Sequence, residues 1–345
     1  MVNKRTALYG LATAIAISGL TGCGSSNGSG GTDSVDGTAT VTVIYTDNAN
    51  TAAFTLGVEK GIFSRHRIDI KALRPASSAG SDQVPLLLNG QAQVGITDVT
   101  AVPSAVAKGF GVQIVTSLVA DYESPTSSTF AAMVPQTSGI ESFKDLEGKT
   151  VGVAGLNTHW SLQVMESVRK AGGDPTKVKL LAVPLPNQVA TLQQGKVDAV
   201  NTLQPFIGQL QQAGFKSLGD PAAIALGPHS IVSVLMASKQ YTKEHSAVMS
   251  RFLDAWAEAE AYANSHPDEV RAQIVAKTGT PAEVVRNLPL PWYASGVSRD
   301  STTKIMELMV RYGSLDKSLP IDDVVWSTAP NADLSTPPPG ITVKP

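Results

Sequence analysis

The sequence predicts an α/β protein of two lobes, each a mostly parallel sheet flanked by helices, with a two-segment hinge between them. Short β-branched runs alternate with helical stretches, a pattern typical of parallel βαβ units. The 345-residue chain also exceeds the size at which a single hydrophobic core keeps growing. Finally, residues 87–94 and 192–199 share one pattern, a helix end, a glycine and an apolar strand, as expected of two lobes of similar construction.

Lobe I is predicted from residues 39–126 and 236–330, so the chain leaves this lobe and later returns to it. Its predicted elements are strands at 40–45, 68–73 and 92–96 and helices at 53–60, 82–89, 246–264, 267–277, 281–287 and 301–312. Ligands of parallel α/β sheets bind beyond the carboxyl ends of the strands, so the loops that follow these strands are the expected binding loops.

Lobe II, with the hinge strands, is predicted from residues 127–235. Its predicted elements are strands at 149–153, 178–183 and 197–200 and helices at 160–170 and 188–194. Two extended apolar runs, 129–134 and 230–236, are interpreted as the crossing segments of the hinge. Residues 331–345 are rich in proline and are predicted to form a loose tail.

The N-terminal region predicts export. Lys4 and Arg5 precede an apolar run at 7–20 and small residues before Cys23, which are the parts of a secretory signal peptide spanning residues 1–22. The segment 20–23 resembles the lipobox of bacterial lipoproteins, and Cys23 is the only cysteine. The resemblance implies that Cys23 carries an acyl chain such as palmitate and anchors the protein to the outer face of the cell membrane or in the periplasm. Residues 23–38 would then be a flexible tether. The alternative is an ordinary signal peptide with a chance cysteine.

Several functional classes are disfavoured by what the sequence lacks. The five histidines have no partner at zinc-ligand spacing, and there is no phosphate-binding loop or dinucleotide fingerprint. A Gly-x-Ser-x-Gly match at 24–28 lies in the tether, without the strand and helix that a nucleophile elbow needs. The formal net charge of −2 argues against a nucleic-acid partner. We therefore expect no catalytic residues, no metal, no cofactor and a monomer.

Short polar loops follow the predicted strands, and most of them open a predicted helix. Helix N-termini offer unpaired N–H groups and a partial positive charge, so such loops can hold an anion without lysine or arginine. The alternative is that these side chains only cap helices. Asp98 is expected to bind a ligand amine or to brace N–H groups, His159 to donate to an oxyanion or to cap, and Trp160 and Phe206 to line the site or the core. The candidate ligand-binding residues are Asn48, Ser78, Ser81, Asp98, Thr126, Asn157, Thr158, His159 and Trp160.

Four segments carry a specific resemblance. GVEKGIF at 57–63, LLNGQAQVG at 87–95, FKDLEGKTVGV at 143–153 and QGKVDA at 194–199 are similar to the solute-binding proteins of ABC importers for nitrate, sulfonates, taurine and thiamine precursors. This resemblance implies a bilobed periplasmic-binding-protein fold of type II that closes on a small molecule and delivers it to a membrane permease. Neutral Gln204, where relatives often have an acidic residue or tryptophan, and binding loops without arginine favour a monoanion, a zwitterion or a neutral heterocycle.

The hypothesis from the sequence is therefore an extracytoplasmic, lipid-anchored receptor of an ABC importer that binds a small organic anion or zwitterion, such as a sulfonate, taurine or nitrate. Three alternatives remain open at this point. The first is a secreted lipoprotein enzyme on the same scaffold, the second is a binder of a pyrimidine or similar thiamine precursor, and the third is a sensor that signals to a membrane kinase.

Overall fold

The computed structural model describes residues 37–74, 80–122, 128–338 and 341. The described residues all belong to one compact unit. Cys23, Ser78 and Thr126 lie outside the described residues, as do the predicted signal peptide and the side chain of Ser81. No helix within the described ranges combines the length and the apolar character that crossing a membrane would need.

The first sheet has six strands in the order β11-β4-β10-β3-β1-β2. They are β1 (Ala39–Ile44), β2 (Ile68–Leu73), β3 (Val94–Asp98), β4 (Val112–Ala120), β10 (Ile231–Ser238) and β11 (Trp292–Tyr293). Strand β1 is parallel to β2 and β3, whereas β10 is antiparallel to both β3 and β4. The predicted strands at 40–45 and 68–73 are therefore correct, and β4 is a central strand that the sequence reading did not identify.

The second sheet has five strands in the order β7-β6-β8-β5-β9. They are β5 (Phe130–Pro135), β6 (Thr150–Val153), β7 (Lys179–Ala182), β8 (Ala199–Leu203) and β9 (Phe215–Ser217). Strand β6 is parallel to β7 and β8, and β5 is antiparallel to β8 and β9. Two separate sheets confirm the predicted two-lobe architecture.

Helices flank both sheets. They are α1 (Ala52–Glu59), α2 (Ile62–Arg65), α3 (Val84–Leu88), α4 (Ala101–Ala107), α5 (His159–Lys170), α6 (Leu185–Gln193), α7 (Phe206–Gln212), α8 (Pro221–Leu226), α9 (Lys239–Glu244), α10 (Ser246–Ser265), α11 (Pro267–Thr278), α12 (Ala282–Val285), α13 (Arg299–Arg311) and α14 (Ile321–Val324). Short 3-10 helices precede α1 at Ala49–Thr51 and α3 at Gly80–Gln83.

Each sheet also contains antiparallel strands, but four of the six strands of the first sheet and four of the five strands of the second run in one direction, so the prediction of mostly parallel sheets is confirmed. Strands β5 and β10, which the sequence reading assigned to the hinge, are the first strands after each passage between the sheets. Each enters its new sheet beside the carboxyl end of a parallel strand: Phe130 is paired with Leu203, and Ser233 with Asp98. A strand that enters from that end must run antiparallel to its neighbour. Both passages therefore lie at the edges where the binding loops are expected.

Aromatic packing fixes the helices on the first sheet. Phe54 of α1 stacks on Trp256 of α10 with ring centroids 5.4 Å apart, and Phe63 of α2 contacts both rings. Gly57 makes this close approach feasible, because a Cβ there would lie only 2.5 Å from Cβ of Ala259. The resulting core holds the outer helices, so that the loops at the strand ends have a rigid support.

Candidate functional site

A cavity of about 960 Å³ lies between the carboxyl ends of the parallel strands of the two sheets. The first sheet contributes the segment after β1, residues 46–50, and the end of β3 with the start of α4. The second lobe contributes residues 154–160 after β6, residues 184–186 at the start of α6, Leu203 at the end of β8 and Phe206 at the start of α7. The size is typical of pockets that enclose small organic ligands.

Asp98 and His159 meet across this cavity. Asp98 is the last residue of β3 in the first sheet, and His159 is the first residue of α5 beside the second sheet. A hydrogen bond joins Nδ1 of His159 to Oδ2 of Asp98. The other carboxylate oxygen of Asp98 accepts from the N–H of Thr100 at 2.8 Å and from its hydroxyl at 2.6 Å. The pair is thus a direct polar link between the two lobes.

Asp98 is held in its ionised form. Burial acts to raise the pKa of this carboxyl, but the interactions with His159 and Thr100 outweigh that effect, and the pKa lies below its ordinary value. Because Asp98 is ionised, it can only accept, so Nδ1 of His159 must carry the proton of their hydrogen bond. The imidazole orientation and tautomer are therefore fixed by Asp98.

Two buried polar atoms at the cavity wall have no hydrogen-bond partner among the described residues. They are Nε2 of His159, whose residue is 3% exposed, and Oγ1 of Thr97, whose residue is 6% exposed. Buried polar groups in folded proteins nearly always find partners, so these two atoms, on residues that line the cavity, are candidates for a hydrogen bond to a ligand or a water that reaches them. The two atoms lie on opposite lobes, as does the pair Asp98 and His159.

The loop before α5 is shaped by its own hydrogen bonds. Thr158 is the N-cap, its N–H donates to Oγ of Ser161 at 3.2 Å, and its hydroxyl donates to the carbonyl of Gly155 at 2.8 Å. Asn157 has a φ of 57°, a left-handed conformation that asparagine tolerates better than most residues. Thr158 is therefore the N-cap residue of α5, and the loop that contains it also lines the cavity.

Trp160 is largely buried and packs edge-on against Phe130, with ring centroids 5.3 Å apart. Its ring also lies 4.6 Å from that of His159. Trp160 thus belongs to the core and lines the cavity at once, which combines the two alternatives drawn from the sequence. Phe206 also lines the cavity and packs against the same core.

Hydrogen bonds hold the segment 46–50 in place beside the cavity. Oδ1 of Asn48 accepts from the N–H groups of Asn50 and Thr51, so this side chain caps the 3-10 helix while it lines the cavity. The buried hydroxyl of Tyr293 donates to the carbonyl of Ala49 at 2.8 Å. Tyr293 is on β11, which the sequence reading did not identify, so its supporting role was missed.

The charges around the cavity are nearly balanced. Asp47 is paired with Arg74 at 2.8 Å, and the Arg74 guanidinium lies 3.8 Å above the ring of Tyr45. Lys108, just after α4, lines the cavity and has no ion pair among the described residues. Apolar side chains supply much of the remaining wall: Val84, Leu88, Ile96, Phe110, Leu118, Leu156, Leu185 and Leu203.

The structure brings together Asn48, Asp98, Asn157, Thr158, His159 and Trp160 around one cavity. It describes neither Ser78 nor Thr126, nor the side chain of Ser81. The sequence reading missed Lys108, Phe110 and Ser233, all of which line the cavity. The signal available for Lys108 and Phe110 was the apolar helical pattern at 101–107, directly after the loop at Asp98. A helix that begins at this loop runs along the cavity wall, so the residues just after it also lie near the cavity.

Comparison with known proteins identifies the fold. The sequence model of the family described as NMT1/THI5 like matches residues 48–270. No curated protein matches the sequence. The periplasmic aliphatic sulphonate binding protein SsuA from Escherichia coli has 19% identity and a TM-score of 0.67, with 89% of this chain and 97% of that chain covered.

Two further solved structures show the functional range of this fold. The periplasmic nitrate-binding protein NrtA from Synechocystis PCC 6803 has 12% identity and a TM-score of 0.70, with 84% of this chain and 86% of that chain covered. The desulfurization enzyme DSZB has 15% identity and a TM-score of 0.57, with 84% of this chain and 96% of that chain covered. At such identities the likeness establishes the fold, which is that of periplasmic binding proteins.

Proposed function

This chain belongs to the NMT1/THI5-like family, and we propose that it is the extracytoplasmic solute-binding component of an ABC importer. It would bind a small organic anion or zwitterion between its lobes and deliver it to the membrane permease as a monomer. The observation that carries this proposal is the cavity of about 960 Å³ to which both sheets contribute their strand-end loops. A ligand held there contacts both lobes, so it stabilises the closed state in which the lobes meet.

The composition of the cavity wall supports an organic monoanion. Asp47 is paired with Arg74, and Lys108 has no ion pair among the described residues, so a cationic group of the wall is open to an anionic ligand. A dianion would need further cationic partners, because each buried charge requires one. The apolar wall formed by residues such as Leu203 and Phe206 suits an alkyl or aromatic body. Nitrate has no such body, so we propose a sulfonate or a similar compound in preference to nitrate.

The test is a calorimetric titration of the mature chain with 1-butanesulfonate, taurine, nitrate and a hydroxymethylpyrimidine. We expect saturable binding of 1-butanesulfonate or taurine and a matching rise in the melting temperature. Ala101→Trp places a large side chain at the cavity wall and should abolish binding, whereas Ala107→Trp, at an exposed position of the same helix, should preserve it. Failure of all four compounds to bind, or equal binding by the two variants, would contradict the proposed function.

The predicted location is part of this proposal. Cys23 would carry the lipid that keeps the receptor near its permease, and the tether from residue 24 to 38 would give the folded body its reach. Mass spectrometry of the N-terminal peptide from the full-length protein should show an acylated Cys23. A Cys23→Ala variant should accumulate with an uncleaved or differently cleaved signal peptide. An unmodified Cys23 in the membrane fraction would refute the lipid anchor.

The enzyme alternative has one observation in its favour. A carboxylate that orients an imidazole, as Asp98 orients His159, is an arrangement that acid–base catalysts use. Within the described residues, no hydroxyl group is hydrogen-bonded to Nε2 of His159 as a nucleophile would be. Prolonged incubation of the protein with each bound compound, followed by mass spectrometry, distinguishes a receptor from an enzyme. A receptor returns the compound unchanged, whereas an enzyme yields a product.

A further inference from the structure

His159 combines two properties that its binding role alone does not explain. Its Nδ1 is engaged by a carboxylate from the other lobe, while its Nε2 is buried at the cavity wall without a partner among the described residues. Since Nδ1 already carries a proton, Nε2 has two states. It is a bare acceptor when the imidazole is neutral, and it is a donor when the imidazole is protonated.

The surroundings of His159 favour a negative partner at Nε2. His159 begins the twelve-residue helix α5, whose N-terminal partial positive charge lies at the same place. Asp98 is the acidic group that faces the ring, from β3, and β5 contributes only the uncharged ring of Phe130. The other titratable groups of the described cavity wall are Asp47, which is paired with Arg74, and Lys108.

We propose that His159 is the anion anchor of the cavity and that ligand binding is coupled to the uptake of one proton. This inference rests on the proposed function. At a pH at which the imidazole of the free protein is neutral, it donates from Nδ1 to Asp98. When an anionic ligand enters, a proton from solvent adds to Nε2, and the resulting N–H donates to an oxygen of the anion. The net charge of the cavity is unchanged, because the ligand brings one negative charge and the proton one positive charge.

Through the same coupling, ligand binding favours closure of the two lobes. A protonated imidazole attracts the Asp98 carboxylate more strongly than a neutral one does. Because Asp98 and His159 belong to different lobes, the anion strengthens their contact indirectly by favouring the protonated form. A neutral ligand of the same shape would fill the cavity without this effect. Anion selectivity and lobe closure would thus depend on one side chain.

The test is calorimetry with 1-butanesulfonate between pH 6 and pH 9, in two buffers of different ionisation enthalpy. The difference in heat between the buffers measures the protons taken up. We expect uptake of up to one proton per ligand at the alkaline end, and an affinity that falls there by up to about tenfold per pH unit. The neutral butane-1-sulfonamide should bind without proton uptake and without this pH dependence.

Two variants isolate His159. His159→Gln retains an amide donor but cannot take up a proton, so we expect weaker binding by about tenfold at pH 6 and no proton uptake. His66→Gln is the matched control, because His66 also pairs with a carboxylate, Glu258, but on the exposed surface. It should bind as the wild type does. Circular dichroism and thermal melting verify that both variants are folded.

The outcomes separate this inference from the proposed function. If 1-butanesulfonate binds with no proton uptake, or if His159→Gln keeps the wild-type pH dependence, the anchor role of His159 is refuted while the receptor function stands. If the sulfonamide binds with the same affinity and the same proton uptake as the sulfonate, the anchor role is also refuted. If no compound of the panel binds to the folded wild type, both proposals fall together.

Discussion

Glu166 joins α5, which begins at the cavity, to the C-terminal end of α13. Its side chain is 3% exposed and accepts hydrogen bonds from Arg169 within α5 and from Arg311 and Tyr312 at the end of α13. Burial opposes ionisation of this carboxyl, but the three donors outweigh it and lower the pKa of Glu166 to about 2. Glu166→Gln removes the charge at nearly constant size.

The expected loss of stability follows from this pKa. The difference between an ordinary glutamate at 4.5 and a value of about 2 corresponds to about 3 kcal/mol as an upper limit. Both arginine side chains are 46% exposed, and solvent screening reduces the contribution to about 1–2 kcal/mol. A lowered pKa stabilises the fold above pH 4.5, and this contribution is lost as the pH falls towards 2.

The assay is urea unfolding of the wild type and Glu166→Gln at pH 7 and pH 3, followed by circular dichroism. The variant should be less stable by about 1–2 kcal/mol at pH 7, and the gap should narrow at pH 3. Glu258→Gln is the control, since Glu258 also contacts two side chains, those of Arg65 and His66, but is 43% exposed, so it should cost under about 0.5 kcal/mol. Equal effects of the two variants at pH 7, or a gap that does not narrow, would refute the reasoning.

Two further predictions concern the support of the site and the helix packing. Tyr293→Phe removes the hydrogen bond to the carbonyl of Ala49. We expect the free energy of unfolding in urea to fall by about 1 kcal/mol and 1-butanesulfonate to bind several-fold more weakly in calorimetry. An unchanged affinity would contradict the positioning role of Tyr293. Gly57→Ala forces a Cβ to within 2.5 Å of Cβ of Ala259 and should lower the free energy of unfolding by about 1–3 kcal/mol. The control Gly111→Ala meets no atom within 4 Å and should lower it by under about 0.5 kcal/mol. Equal midpoints of urea unfolding for the two variants would contradict the close packing of α1 against α10.

Local sequence signals were sufficient where they marked both ends of an element. The helix predicted at 267–277 is α11, Pro267–Thr278, because a proline starts it and Gly279 ends it in the left-handed conformation. The helix predicted at 246–264 is α10, Ser246–Ser265, and Pro267 follows directly after its C-cap residue, His266. Proline at the first helical position and glycine just after the last are backbone preferences, so they act without help from the rest of the fold.

Strand β4 shows what local signals could not supply. All nine residues from Val112 to Ala120 are buried, including Gln113, Thr116 and Ser117, so the strand has no polar face to reveal its period. Two of these polar side chains have distant partners: Gln113 donates to Thr242, and Thr116 accepts from the N–H of Gly296. The orientation of β5 and β10 also depends on the path between the sheets and not on their own residues.

The candidate site was predictable to a similar extent. Polar residues at strand ends, such as Asn48, Asp98 and Asn157, do line one cavity, because the carboxyl ends of parallel strands share an edge of the sheet. Helix capping and cavity lining turned out to be compatible for Asn48 and Thr158. The contact between Asp98 and His159 and the unpartnered Nε2 depend on how the two lobes meet, which no local pattern records.

A crystal structure of the mature protein with 1-butanesulfonate tests the central claim most directly. We predict density for the sulfonate inside the cavity between the two sheets, with one of its oxygens within hydrogen-bond distance of Nε2 of His159 and its alkyl chain against Leu203 and Phe206. Density confined to the surface of one lobe, or an empty cavity in a crystal grown with saturating ligand, would contradict the account.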